Sequence, residues 1–225
     1  MEIEMKALVT DEQIDKILHE DLSKYGFKMK EGTELLYKCD NYYSKGGEVV
    51  KKPTTVVRTR TEALLPPEPL SKILHGKCEE IMSDGKRIFI TVKRKTTLPD
   101  GVETNEETEG VISEDALVAF NLAMEAAGWK PYFTKSKQSI SFYMEVLDGP
   151  CKGKEIHCEL VNMSGKGPYL EIEAFVPYGA KKEDISELDF ESVIDAQRTI
   201  KEFFEKVLGI AEFDGRSWYK ILFES

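Results

Sequence analysis

Four short stretches of this chain repeat one constraint: charged residues spaced two apart, with apolar or small residues between them. They are Glu2-Ile3-Glu4-Met5-Lys6, Arg58-Thr59-Arg60, Lys135-Ser136-Lys137 and Glu171-Ile172-Glu173. At the two-residue period of a β-strand, each stretch sends its charges to one face, and the first sends Ile3, Met5 and Ala7 to the other. A solvated outer face accounts for any one of them. The set argues for more, because acidic strands near the two ends bracket basic strands between. That order suggests several strands sharing a charged interior.

The remaining chain reads as connections around those strands. Thr10-Asp11-Glu12-Gln13 opens a helix with a capping box, and Ile14, Ile17, Leu18 and Leu22 carry it at helical spacing to Gly26. Strands are expected over 34–43, 54–60, 86–95, 103–112, 140–147 and 155–161, and helices over 113–127 and 186–208. Pro66-Pro67-Glu68-Pro69 and the short helical pattern after it make 63–84 an insertion or a lengthened hairpin within a single domain of 225 residues. A lid, a dimer contact and a decoration are all open for it. The glycines of 162–168 read as a hairpin turn, since no Gly-Lys-Ser/Thr helix opening follows.

The net charge of −10 argues against a general nucleic-acid binder, which needs a basic surface. No run approaches the ~18 apolar residues of a membrane span, and the start is a charged strand with no signal-sequence pattern, so a soluble, cytoplasmic protein is expected. Cys39, Cys78, Cys151 and Cys158 lack C-x-x-C spacing and read as free thiols. His157, beside Cys158, lacks the partners of a zinc site, and as a general base it competes with the bland reading of a bystander on a strand.

The ordered series resembles the CYTH, or triphosphate tunnel metalloenzyme, superfamily. The matching elements are Glu2-x-Glu4-x-Lys6, the Arg58-x-Arg60 strand, Lys93 after Ile90-Thr91-Val92, the helix and Gly128-Trp129-x-Pro131 before Lys135-x-Lys137, Glu171-x-Glu173, and the ending Arg216-Ser217-Trp218-Tyr219. The family prefers arginine where this chain has Lys135 and Lys137, and lysine offers a point charge without the guanidinium fork. The resemblance implies an α+β fold: a closed antiparallel eight-stranded β-barrel, the triphosphate tunnel, with helices packed outside. It further implies that Arg58, Arg60, Lys93, Lys135 and Lys137 bind a triphosphate, that Glu2, Glu4, Glu159, Glu171 and Glu173 hold metal, and that Lys6 and Glu4 serve catalysis. Glu107 and Glu109 either join the metal set or form a solvated acidic edge.

Carboxylate ligands without His or Cys favour Mg²⁺ or Mn²⁺. No Ser-His-Asp or Cys-His nucleophile system is evident, so direct metal-assisted displacement at phosphorus is expected. Three functions follow. One is hydrolysis of a small triphosphate-containing molecule (tripolyphosphate, a nucleoside triphosphate or thiamine triphosphate) to diphosphate and phosphate. Another is a class IV adenylyl cyclase, converting ATP to cyclic AMP and pyrophosphate. The third is a non-catalytic polyphosphate- or nucleotide-binding module. Hydrolysis leads because it needs fewer special parts. No membrane or nucleic-acid partner is expected, and a homodimer is left open.

Overall fold

The alternating stretches are strands of one sheet. The computed structural model describes residues 1–50, 54–76, 85–97, 103–163, 166–177, 189–216 and 218–223. Its strands are β1 (Glu2–Leu8), β2 (Phe27–Met29), β3 (Glu34–Lys45), β4 (Thr55–Leu64), β5 (Arg87–Thr97), β6 (Glu103–Ile112), β7 (Trp129–Val146), β8 (Glu155–Met163) and β9 (Lys166–Phe175). They pair antiparallel in the order β2-β7-β3-β4-β5-β6-β1-β9-β8, and β7 pairs with β8 as well. The fold is α+β: a curled antiparallel sheet with a few helices against its outside.

The two-residue period sorts the faces. Glu2, Glu4 and Lys6 turn into the curl, while Ile3 and Ala7 are buried on the other side. Ile140, Phe142 and Met144 of β7, Ile156, Cys158 and Leu160 of β8, and Leu170, Ile172 and Ala174 of β9 join them in the main hydrophobic core. That core is completed by Ile14 and Ile17 of α1 (Asp11–His19), Ile73 and Leu74 of α2 (Leu70–His75), and Ala196 and Ile200 of α4 (Val193–Glu202). Full burial of each large aliphatic or aromatic side chain contributes roughly 1.5–3 kcal/mol. The apolar layer outside the curl thus carries the stability that allows a charged layer inside it.

Several boundaries differ from expectation for local reasons. The helix begun at Thr10 keeps its capping box but stops at His19; Asp21 then accepts from the Ser23 amide and starts a separate 3₁₀ turn over Leu22–Tyr25. Gly26, at φ 86, ends that turn, and β2 follows as a ninth strand that the sequence did not announce. The segment expected as two pieces around residues 129–147 is one 18-residue strand, β7, long enough to pair with β2, β3 and β8. The helix expected from Ser186 starts at Val193, where Ser192 caps it, and its last turn widens over Phe203–Val207. Residues 186–188 lie outside the described residues, as do 77–84 of the expected insertion and the turn at 98–101. The described part of that insertion, α2, packs into the core, and Asn162 Nδ2 donates to the carbonyls of Ile73 and Gly76 at 2.8 Å each.

Two further helices are α3 (Glu114–Ala126) and α5 (Trp218–Phe223). Among the described residues no helix is long and apolar enough to cross a membrane. Cys39, Cys151 and Cys158 are free thiols, and Cys78 lies outside the described residues.

Candidate functional site

The curl encloses a cavity of about 370 Å³. All thirteen residues singled out from the sequence line it: Glu2, Glu4 and Lys6 from β1, Arg58 and Arg60 from β4, Lys93 from β5, Glu107 and Glu109 from β6, Lys135 and Lys137 from β7, Glu159 from β8, and Glu171 and Glu173 from β9. Register explains the convergence. Glu4 stands opposite Glu173, Lys6 opposite Glu171, Glu159 opposite Glu171, and Lys93 opposite Glu107, so period two on each strand aims these side chains inward together.

The basic wall is organised around Asp40, which is fully buried. Arg60 grips it with two bonds, Nε to Oδ1 at 2.6 Å and an η nitrogen to Oδ2 at 3.1 Å. Lys135 Nζ stands 3.2 Å and Arg58 3.6 Å from Oδ2. Burial works to raise the Asp40 carboxyl, but the adjacent Arg60, Lys135 and Arg58 outweigh it and hold the group well below the carboxylate range. Arg58 also reaches Glu107 at 3.1 Å, while its Nε is buried without a hydrogen-bond partner. Lys93 binds Glu2 at 2.8 Å and Glu107 at 2.5 Å. Lys137 binds Glu159 at 2.5 Å and Glu171 at 2.8 Å, and Lys38 pairs with Glu159 and, at 3.5 Å, Glu62.

The acidic wall is less evenly matched. Burial, then the charge of Glu173, pushes the Glu2 carboxyl up to about 8 against the pull of Lys93. Burial, then Glu171, raises Glu4 as well, against Lys6. Glu4 makes no hydrogen bond or ion pair among the described residues. Glu173 goes the other way, to about 2: burial would raise it, but His157 Nδ1, at 3.1 Å, outweighs burial. His157 Nε2 in turn lies 2.8 Å from Ser141 Oγ, so the ring is held from both sides.

Among the described residues no three His, Cys, Asp or Glu side chains form a ready-made metal cluster. The donors nevertheless suit a hard cation. Glu2, Glu4 and Glu173 present carboxylate oxygens on one side of the cavity, and burial and neighbouring carboxylates destabilise two of them as anions. Glu159 and Glu171 already have lysine partners.

No family model matches this chain, and no curated protein matches it by sequence. Solved structures do match its fold. A protein of Pyrococcus horikoshii aligns over 100% of this chain and 99% of its own, with TM-score 0.64 and 21% identity. A candidate adenylate cyclase of Vibrio parahaemolyticus aligns over 98% and 97%, with TM-score 0.58 and 15% identity. A candidate adenylyl cyclase of Hippeastrum, described as having a dominant triphosphatase activity, aligns over 98% and 94%, with TM-score 0.56 and 14% identity. The chain shares the fold of these proteins.

Within this fold the cavity also recruits residues to which the sequence reading gave no role in a site. Trp218, on α5, donates its indole N–H to Glu171 Oε1 at 2.6 Å, and its ring lies 5.8 Å from the ammonium of Lys6 and 5.8 Å from that of Lys135. Beside it Tyr42 stacks on Phe133 at 5.3 Å, and Tyr219 meets the same ring edge-on at 5.4 Å. With Tyr132 these rings make one rim of the cavity aromatic. Lys38-x-Asp40-x-Tyr42 carried the same two-residue signal as the named strands and could have been found by it. Trp218 could not, because its place depends on how the last helix folds back.

Proposed function

We propose that this chain is a divalent-metal-dependent triphosphatase, hydrolysing a triphosphate bound in a tunnel to diphosphate and phosphate. The observation that carries the reading is the division of the cavity: cations fixed on one side by Asp40, Glu107 and Glu159, and buried carboxylates crowding one another on the other. A polyphosphate with its counter-cation matches both sides at once. The tunnel form, a closed ring of eight strands with β2 added outside it, is supported by the β7–β8 ladder from Gln138↔Asn162 to Glu145↔Glu155, which joins strands otherwise far apart in the sheet order.

In this reading Arg58, Arg60, Lys93, Lys135 and Lys137 bind phosphate oxygens. Arginine offers paired donors to them, and the free Nε of Arg58 is one such donor. Glu2, Glu4 and Glu173, with Glu159 and Glu171 once their lysines turn to phosphate, would hold Mg²⁺ or Mn²⁺. When bound, the metal neutralises phosphate charge and makes water a better nucleophile. Lys6 has no ion pair among the described residues, so its ammonium is available to orient water and steady charge at the cleaved phosphate. The tunnel walls position the phosphoryl group and exclude bulk water. The protein would work in the cytoplasm, where such substrates and Mg²⁺ are present.

A class IV adenylyl cyclase is the second reading, and the aromatic rim favours it, since a purine would stack on Tyr42, Phe133 and Tyr219. The test is to incubate purified protein with Mg²⁺ or Mn²⁺ and, separately, tripolyphosphate, thiamine triphosphate and ATP, and to separate the products. Orthophosphate identifies the triphosphatase and its substrate; cyclic AMP with pyrophosphate selects the cyclase. Glu4→Gln and Arg58→Ala should each lower turnover by on the order of 10²-fold or more with the fold intact. Unchanged turnover in either variant removes the assignment of the cavity as the active site.

A further inference from the structure

The sheet sets Tyr143, His157, Glu173 and Glu4 opposite one another on β7, β8, β9 and β1, with Ser141 diagonal to His157. His157 uses both ring nitrogens there. Nδ1 lies 3.1 Å from Glu173 Oε2, and Nε2 lies 2.8 Å from Ser141 Oγ. Tyr143 packs against the ring, with centroids 4.9 Å apart. An ionised carboxylate only accepts, so the proton between Glu173 and the imidazole belongs to Nδ1. In the neutral ring Nε2 then accepts from the Ser141 hydroxyl; in the charged ring it donates to it. Nδ1–H holds Glu173 in both cases. The order Ser141–His157–Glu173 is that of a nucleophilic triad, yet Ser141 is buried and is not among the residues lining the cavity. Neither ring nitrogen is left to take a proton from water, so this arrangement gives His157 no general-base role.

The consequence falls on Glu173. Its Oε2 is committed to His157, and among the described residues no hydrogen bond is made to Oε1. We propose that His157 is a positioning residue that sets cation preference: by occupying one oxygen of Glu173 it leaves a single-oxygen ligand, which suits Mg²⁺ or Mn²⁺ and disfavours Ca²⁺. This inference rests on the reading that the acidic wall holds a divalent cation. Mg²⁺ demands a near-ideal octahedron and keeps several waters, so one oxygen from a carboxylate is enough, and Mn²⁺ shares that preference. Ca²⁺ gathers more oxygens, roughly six to eight, and a carboxylate that gives both of its own helps to fill that shell. Glu173 cannot give both while it accepts from His157. Ser141 acts one step further out, by fixing the rotation of the ring.

The test uses the purified full chain freed of metal. Mn²⁺ affinity is read from the electron paramagnetic resonance of free Mn²⁺, and Ca²⁺ affinity from competition against it. His157→Phe keeps a ring against Tyr143 and removes the Nδ1–H. It should weaken Mn²⁺ binding by roughly tenfold while Ca²⁺ binding holds or tightens, so the preference for Mn²⁺ over Ca²⁺ falls by at least that factor. His157→Asn, whose amide nitrogen stands near the place of Nδ1, should restore most of the preference. Ser141→Ala should move it the same way as His157→Phe, by less. A histidine that merely supports the fold would lower both affinities together. Nitrogen-15 NMR of the metal-free wild type should show a proton on His157 Nδ1. A ring protonated on Nε2 alone, or a Mn²⁺-to-Ca²⁺ preference that His157→Phe leaves unchanged, overturns the inference and leaves the metal reading standing. A wild type that binds no divalent cation removes both.

Discussion

The two walls of the cavity are built from the same alternation but reach charge balance differently. On the basic wall every named cation has an acid at hand: Asp40 for Arg58, Arg60 and Lys135, Glu107 for Arg58 and Lys93, and Glu159 for Lys137. Its acids are correspondingly stabilised as anions, Asp40 and Glu159 well below their ordinary range. On the acidic wall Glu2 and Glu4 are raised, because burial and neighbouring carboxylates outweigh Lys93 and Lys6. The basic wall is therefore balanced by its own acids, whereas on the acidic wall Glu2 and Glu4 are not balanced, a deficit that the cation of the proposed function would fill. A protein that needed the cavity only as a stable polar interior would gain from balancing both.

The sharpest way to break this contrast is Asp40→Asn. The amide keeps the shape but leaves Arg60, Lys135 and Arg58 crowded without their shared anion. Removing one partner of a buried ionic group costs about 3–5 kcal/mol, so urea unfolding should show a loss of that order. Tripolyphosphate, supplying the missing negative charge, should restore more stability to the variant than to the wild type. A variant within about 0.5 kcal/mol of the wild type would mean that Asp40 is not what organises the basic wall.

How much of this was legible beforehand follows from the same contrast. Period two within a strand is a local property, so the inward faces of β1, β4, β7 and β9 could be read directly, and with them nine of the thirteen residues; Lys93 and Glu159 came through the resemblance, and Glu107 and Glu109 stayed open between metal ligands and a solvated edge. The partners of those residues are set by register between strands, which depends on the whole sheet. Nothing local tells Glu159 that it will meet Lys137 and Lys38 while Glu4 meets no cation as closely. The ninth strand β2 was missed because three residues carry too little pattern, and β7 was divided because its charged start and apolar end look like different strands. Trp218 was noticed only as part of a terminal run, since its contact with Glu171 joins positions 47 residues apart.

A smaller effect should appear in the pH dependence of the metal-free protein. Glu2 is raised from 4.5 to about 8 in the folded state, and Glu4 moves the same way. Between those values the folded chain holds more protons than the unfolded chain, so stability falls as pH rises from near 4.5 toward 8. Asp40, Glu159, Glu171 and Glu173 are lowered, and their contribution is lost only as pH drops below the usual carboxylate range. Thermal melts from pH 5 to 8 should therefore decline without Mg²⁺, and added Mg²⁺ should raise the melting temperature most at the alkaline end. A flat profile, or Mg²⁺ stabilisation equal at both ends, would remove the charge deficit from the acidic wall.

The smallest effect concerns the point where the walls are tied together. Trp218 holds Glu171 through its N–H while its ring lies near Lys6 and Lys135, one cation from each side of the cavity. Trp218→Phe keeps an aromatic face for the lysines and removes only the donor. Glu171 retains Lys137, so the expected loss is about 1 kcal/mol in urea unfolding, with roughly tenfold weaker Mn²⁺ binding if Glu171 helps hold the ion. Trp218→Leu removes the ring as well, and by weakening the contacts to Lys6 and Lys135 it should also raise KM for the triphosphate. If both variants weaken Mn²⁺ equally and only Trp218→Leu changes KM, the indole N–H serves the acidic wall and the ring serves the basic one. If Trp218→Phe changes nothing, Lys137 alone is sufficient to place Glu171, and Trp218 belongs to the aromatic rim.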